Sequence, residues 1–242
     1  MKTDNGWLGV ISIGIGVALA ILFGRKKEGK SYPYSMKMWE PLLSYMAVES
    51  NVALPFVMEW MRIESGGNPC AWGSANAKGP DGHPREQGIA QLYNPDDFTR
   101  YGIPSGSFRV YCIPDTQKCS RELTSDEMHA QAKSLIDLIV RSRKVAQETA
   151  SASGLQWSGK DRYRLTKLVH GLPGLVKQGI PRVTKKLGRP PKDWGDFKVT
   201  ISNTRMDDGT ERYRSLFPKL FANAEKATAT LPNDIGIEEA VS

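Results

Sequence analysis

Cysteine is scarce in this chain, with three among 242 residues. Small disulfide scaffolds, in which bridges stand in for a core, are thereby excluded. Cys70, Cys112 and Cys119 also lack the paired Cys/His spacing of a zinc site, so neither metal nor organic cofactor is expected. Internal repeats and long low-complexity tracts are absent, which leaves out solenoids and arrays. Acid is in deficit too: 26 Asp and Glu against 33 Lys and Arg make a formal charge of +7. That excess draws the molecule toward anionic partners, whether nucleic acid, lipid head groups or the bacterial cell wall, and by itself does not choose among them. The length suits one well-packed domain with appendages.

What is there begins with an uncharged run from Trp7 to Phe23. At about 1.5 Å per residue such a run just spans the hydrocarbon core of a bilayer. Asp4 offsets Lys2 ahead of it, and the run ends in Arg25, Lys26 and Lys27 rather than in a small-residue cleavage site, so the pattern predicts an uncleaved transmembrane helix. By the positive-inside rule the rest of the chain would face the cytoplasm. A single-pass membrane protein is therefore expected, in a bacterial inner membrane or the internal membrane of a virion. The lipid bilayer would be a partner through residues 7–23, and virion or secretion-machinery proteins would be further partners. The plan is a transmembrane segment over 1–24, a basic linker over 25–37, one domain over 38–226 and a loosely ordered tail over 227–242.

Trp39, Leu42, Leu43, Tyr45, Met46 and Val48 recur at helical spacing, and Leu54 to Glu64 reads as a second amphipathic helix. Pro55 suits its first turn and Ser65–Gly66–Gly67 its end. Periodicity fades between Asn68 and Arg121, apart from a short alternating piece at Phe108 to Cys112 that suits a strand. Cys112 and Cys119 bracket a turn-rich stretch that suits a small bridged loop in an oxidising compartment. Thr124 with Glu127 three residues on predicts a capping box and a helix beyond it. Further helices are expected over Asp161 to His170 and from Tyr213 through Lys226, the last with a bend at Pro218.

Glu64 stands at the carboxyl end of an apolar helix, where the negative end of the helix dipole disfavours a carboxylate. If Trp60 or Ile63 desolvates it, its pKa should rise and make it a general acid near neutral pH. Glu64–Ser65–Gly66–Gly67–Asn68–Pro69, followed by Gly88–Ile89–Ala90–Gln91, resembles the catalytic core of the soluble lytic transglycosylase family, which shares its fold with goose-type lysozyme. The helix pair before Glu64 and the closing helix are similar as well, so the resemblance covers most of residues 38–226. It implies a mainly α, lysozyme-like domain of the α+β lysozyme superfamily and a peptidoglycan-cleaving enzyme.

By that resemblance Glu64 protonates the glycosidic oxygen between N-acetylmuramic acid and N-acetylglucosamine, then accepts the proton of the muramoyl C6 hydroxyl as it closes on C1, leaving a 1,6-anhydro end. Local wall opening during phage genome entry or machinery assembly would fit an anchored enzyme. Hydrolysis on the same fold would require a second carboxylate; Glu86 is the first candidate, with Asp81, Asp96 and Asp97 in the same loop region. Ser65, Gly88, Ile89, Gln91, Tyr93 and His170 are the expected substrate-binding residues. Gln91 suits contact with N-acetyl groups, positioning of Glu64, or a plain loop role. The family's third motif, Ala-Tyr-Asn-x-Gly-Pro-Gly, is altered here to Leu168–Val169–His170–Gly171–Leu172–Pro173–Gly174. Val169 takes the place of the tyrosine, and His170 that of the asparagine. This departure supports a rival reading, a structural or binding protein without turnover.

Lys160 to Lys192 carries Arg162, Arg164, Lys167, Lys177, Arg182, Lys185, Lys186 and Arg189. The run suits a solvated face first, attraction to the anionic wall or membrane second, and nucleic acid last.

Overall fold

A computed structural model describes residues 32–73, 86–92, 111–113 and 116–236. Apolar spacing makes helix α1 (Met36–Glu49), which buries Trp39, Leu43, Met46 and Ala47 along one stripe. Helix α2 (Leu54–Glu64) starts with Pro55 in its first turn and buries Phe56, Val57, Trp60 and Met61. The corner between them is held from outside: Arg143 donates to the carbonyls of Ser50 and Asn51, and the Tyr163 hydroxyl accepts from Ala53 N–H at 3.0 Å.

Helix α3 (Ser125–Ala152) opens with the expected capping box between Thr124 and Glu127, a device worth about 1 kcal/mol. Helix α4 (Gly159–Gly171) is capped by Ser158. Then come α5 (Pro173–Leu187), α6 (Trp194–Ser202), the single turn α7 (Asp208–Glu211), a 3-10 turn at Arg214–Leu216 and α8 (Phe217–Ala227). The chain is thus mainly α. Its described residues hold isolated bridges only, at Tyr32 with Cys119, Trp72 with Gln87, Gln87 with Leu92 and Cys112 with Cys119.

Two apolar cores form, and α3 runs through both. Ala132, Leu135, Ile136 and Ile139 join α1 and α2 in the first core, while Ala146 and Ala150 join α4, α5, α6 and α8 in the second. The long helix is therefore the ruler on which the two cores are laid.

Several expectations are corrected. No helix among the described residues is long and apolar enough to cross a membrane, so the single-pass membrane assignment is not supported; residues 7–23, on which it rested, lie outside the described residues. The compact unit begins at Tyr32, not at residue 38. Tyr34, inside the expected linker, stacks on Trp39 at 6.2 Å, because an aromatic ring there closes the open flank of α1. The tail is packed at least to Leu231, which is buried in the first core. Pro218 starts α8 instead of bending it, since proline at a first turn costs no hydrogen bond. Residues 108–110 of the expected strand lie outside the described residues, and Cys112 makes only an isolated bridge. The disulfide is Cys70–Cys112, not Cys112–Cys119. Tertiary folding brings the turn after α2 onto Cys112 and leaves Cys119 as a buried free thiol.

Candidate active site

Glu64 closes α2, and Trp60 lies one turn earlier on the same face. The chain then stops being helical because Gly66 adopts φ +63°, and its N–H bonds back to the carbonyls of Met61 (3.1 Å) and Arg62 (3.2 Å). The hydroxyl of Ser65 lies 3.2 Å from the carbonyl oxygens of both Met61 and Ile89, and it accepts from Gly67 N–H. Ser65 thus joins the turn after Glu64 to the Gly88–Gln91 turn, two segments that the sequence holds 24 positions apart.

The second turn is a tight loop. Gln87 and Leu92 exchange both backbone hydrogen bonds, at 3.1 and 2.9 Å. Gly88 (φ +79°) and Gln91 (φ +49°) take the left-handed conformations that such a reversal requires. Gly88 N–H donates to Ala71 O at 2.9 Å. Ile89 is fully buried; its N–H donates to Gln131 Oε1 at 3.1 Å while its carbonyl faces Ser65. Gln91 Nε2 donates to Gly88 O at 2.8 Å and Ala71 O at 3.2 Å.

The Ile89 side chain is therefore part of the core, and Gln91 braces the loop through its amide nitrogen. Asn68 has a similar part: it accepts from Cys70 N–H and donates to Gln117 O. Tyr93, Asp81, Asp96 and Asp97 lie outside the described residues. Glu86 accepts Gly73 N–H at 2.9 Å through its backbone, with its side chain lying over Gly73. The charges held against Glu64 come from elsewhere.

They come from α4. Lys167 and His170 are three residues apart, so they share a face of that helix. Lys167 Nζ donates to Glu64 Oε1, and His170 Nε2 lies 3.4 Å from the same oxygen. Lys167 also sits 4.1 Å above the centre of the Trp60 ring, and the His170 ring lies 5.1 Å from it. Both contacts fall on Oε1, so Oε2 has no partner among the described residues, and the Glu64 side chain keeps 19% of its surface exposed. Trp60 Nε1, fully buried, has no acceptor among the described residues.

The electrostatics reverse the expectation for Glu64. Burial pushes its carboxyl up, but the Lys167 ammonium, with His170 behind it, overrides that and holds it at about 2. Burial in turn pushes the Lys167 ammonium down, and Glu64 opposes the shift. The resting site is therefore an ion pair folded over an indole ring. The dipole of α2 is outweighed because a cation from another helix, 103 residues later in sequence, touches the carboxylate.

Lys167 was read only as one of a basic run, yet its side chain is 4% exposed. Its three-residue spacing to His170 was a usable signal. Val169, set where the family has tyrosine, is buried in the second core. In comparison with known proteins, the chain matches no family model, no curated protein and no solved structure.

Proposed function

We propose that the chain is a lysozyme-like lytic transglycosylase acting on peptidoglycan glycan strands, with Glu64 as its acid and base. The observation that carries this reading is the junction made by Ser65: the turn after Glu64 and the Gly88–Gln91 turn lie against each other, and Glu64 keeps one carboxylate oxygen without a partner among the described residues.

The ion pair gives the acid step a definite source for its proton. Lys167 touches the carboxylate and carries a proton that burial loosens. A glycan covering Oε2 expels the remaining water, which favours the neutral pair over the charged one. The proton then passes from Lys167 Nζ to Glu64, and from Glu64 to the glycosidic oxygen. As the C6 hydroxyl of the muramoyl residue closes on C1, its proton passes to Glu64 and from there back to Lys167 Nζ, which restores the ion pair. The nucleophile belongs to the substrate, so a second carboxylate is not needed.

The same ion pair favours a second reading, a binding protein of this shape without turnover, because a carboxyl at about 2 is a poor resting acid. Purified sacculi incubated with the full chain and with Glu64→Gln separate the two. Anhydro-ended muropeptides from the parent alone support the transglycosylase, and reducing ends indicate hydrolysis. No released muropeptide from a folded parent chain leaves the binding protein.

A further inference from the structure

Three sulfur atoms converge behind the turn that carries Glu64. Cys70 follows Asn68 and Pro69 in that turn, while Cys112 and Cys119 face each other across an antiparallel bridge. Ser120 N–H donates to Tyr111 O at 2.7 Å and Ile113 N–H to Lys118 O at 2.8 Å, which holds those two segments in register. Cys70 and Cys112 are bonded, with 5.7 Å between their Cα atoms. Cys119 Sγ lies 2.8 Å from Cys70 Sγ, and all three sulfurs lie within 4.8 Å of one another.

A disulfide accounts for two of these atoms. The third is buried against the pair, and burial pushes its thiol up to about 11. Sulfurs bound at about 2.3 Å to one metal in a trigonal or tetrahedral array stand about 4 Å apart, a spacing reached once the Cys70–Cys112 bond opens and Cys119 Sγ moves about 1 Å farther from Cys70 Sγ. Thiolate is also the ligand that selects soft cations.

We propose that Cys70, Cys112 and Cys119 form a three-thiolate site for one thiophilic cation of the zinc class, available when the Cys70–Cys112 bond is reduced. A thiol or phosphine reductant supplies two electrons and two protons, which open the bond to two thiols. Binding then forms three sulfur–metal bonds and releases three protons, one from each cysteine. Water completes the coordination on the side of Cys112, the partly exposed member. The cation replaces the disulfide as the clamp between the turn after Glu64 and the Tyr111 segment. That segment reaches the second turn through Gln131, which donates to the Tyr111 hydroxyl at 2.7 Å and accepts from Ile89 N–H. The site stands apart from the catalytic reading of Glu64.

The test uses the full chain, reduced with a phosphine under nitrogen and titrated with zinc ion against a chromogenic chelator. One equivalent retained through gel filtration is expected, with three protons released, and none for the same chain after oxidation. Cys119→Ser should weaken retention at least about a hundredfold, since even outer-shell partners of metal ligands are worth up to that much. Zinc passing unbound through the reduced chain overturns the site. So does equal retention by the oxidised and reduced forms, or by Cys119→Ser. Should the serine variant not fold, the oxidised and reduced parent chains decide the matter between them.

Discussion

The two cores hold polar groups differently. In the first, polar atoms go inside: Gln91, Gln131 and Ser134 are buried, and Glu64 meets Lys167 and His170 where α2 faces α4. In the second, one buried carboxylate, Asp161, accepts Trp194 N–H and pairs with Arg164, while surface cations close helix ends. Arg182 donates to Arg205 O, Lys186 to Asn203 O, and Arg214 to Ser202 O and Thr204 O, so four carbonyls at and beyond the carboxyl end of α6 are met by three basic side chains. Cations there satisfy orphan carbonyls and oppose the helix dipole. The basic run is thus neither one solvated face nor one binding stripe. Two of its members, Arg182 and Lys186, brace the end of α6, Arg164 pairs with Asp161, and Lys167 turns inward to Glu64. A buried ion pair is a weak source of net stability, because desolvation offsets attraction. The Asp161 carboxylate of the second core has both oxygens engaged, by Arg164 and by Trp194 N–H, whereas Glu64 keeps one oxygen without a partner among the described residues.

That contrast can be broken at Glu64 first. Glu64→Gln keeps the volume and removes the proton carrier, so muropeptide release from sacculi should fall by about a thousandfold, the scale of a general acid, while the far-ultraviolet circular dichroism stays unchanged. Next in size is Lys167→Met, which strands a buried carboxylate. Urea denaturation should show a loss of about 3–5 kcal/mol. Activity retained at the parental level in a folded Lys167→Met chain would remove the proposed proton source.

The pH dependence sharpens the same point. Glu64 is held at about 2 in the fold against an ordinary 4.5, so the folded state binds its proton less readily than the unfolded chain. Its stabilisation is complete above the ordinary value and is lost as pH falls from there toward the folded value. Melting curves across that window should slope less for Glu64→Gln than for the parent chain, and equal slopes would place the acid sensitivity elsewhere. In the second core, Ile180→Val should cost about 0.5–1.5 kcal/mol and leave the acid slope untouched. Lys186→Ala, on the surface of that core, should change stability by no more than about 0.5 kcal/mol, measured by the same urea titration.

Much of the helical frame was legible locally. The stripes of α1 and α2, the capping box before α3 and the course of α4 follow from neighbours a few residues apart. Helices α5 and α6 were not read. Gly174, Gly179 and Pro181 look like breakers, yet Pro173 serves as a first-turn residue. Gly179 lies under α6, where an added Cβ would come within 3.0 Å of Ile201. A residue that weakens an isolated helix here permits the contact that stabilises it. In the site, Glu64, Ser65 and His170 were legible as members of a constellation. The burial of Lys167 and the pairing of Cys70 with Cys112 were not, because neither burial nor sulfur geometry is a property of a short window.

By itself the sequence determined where helices begin and end around Glu64 and which two turns follow it, since periodicity, capping and left-handed glycines act within a few residues. Only the tertiary structure decided the charge on that carboxyl and the partners of the three sulfurs. Coulomb attraction and desolvation depend on distance and burial in space, and the residues that set them here lie far apart along the chain.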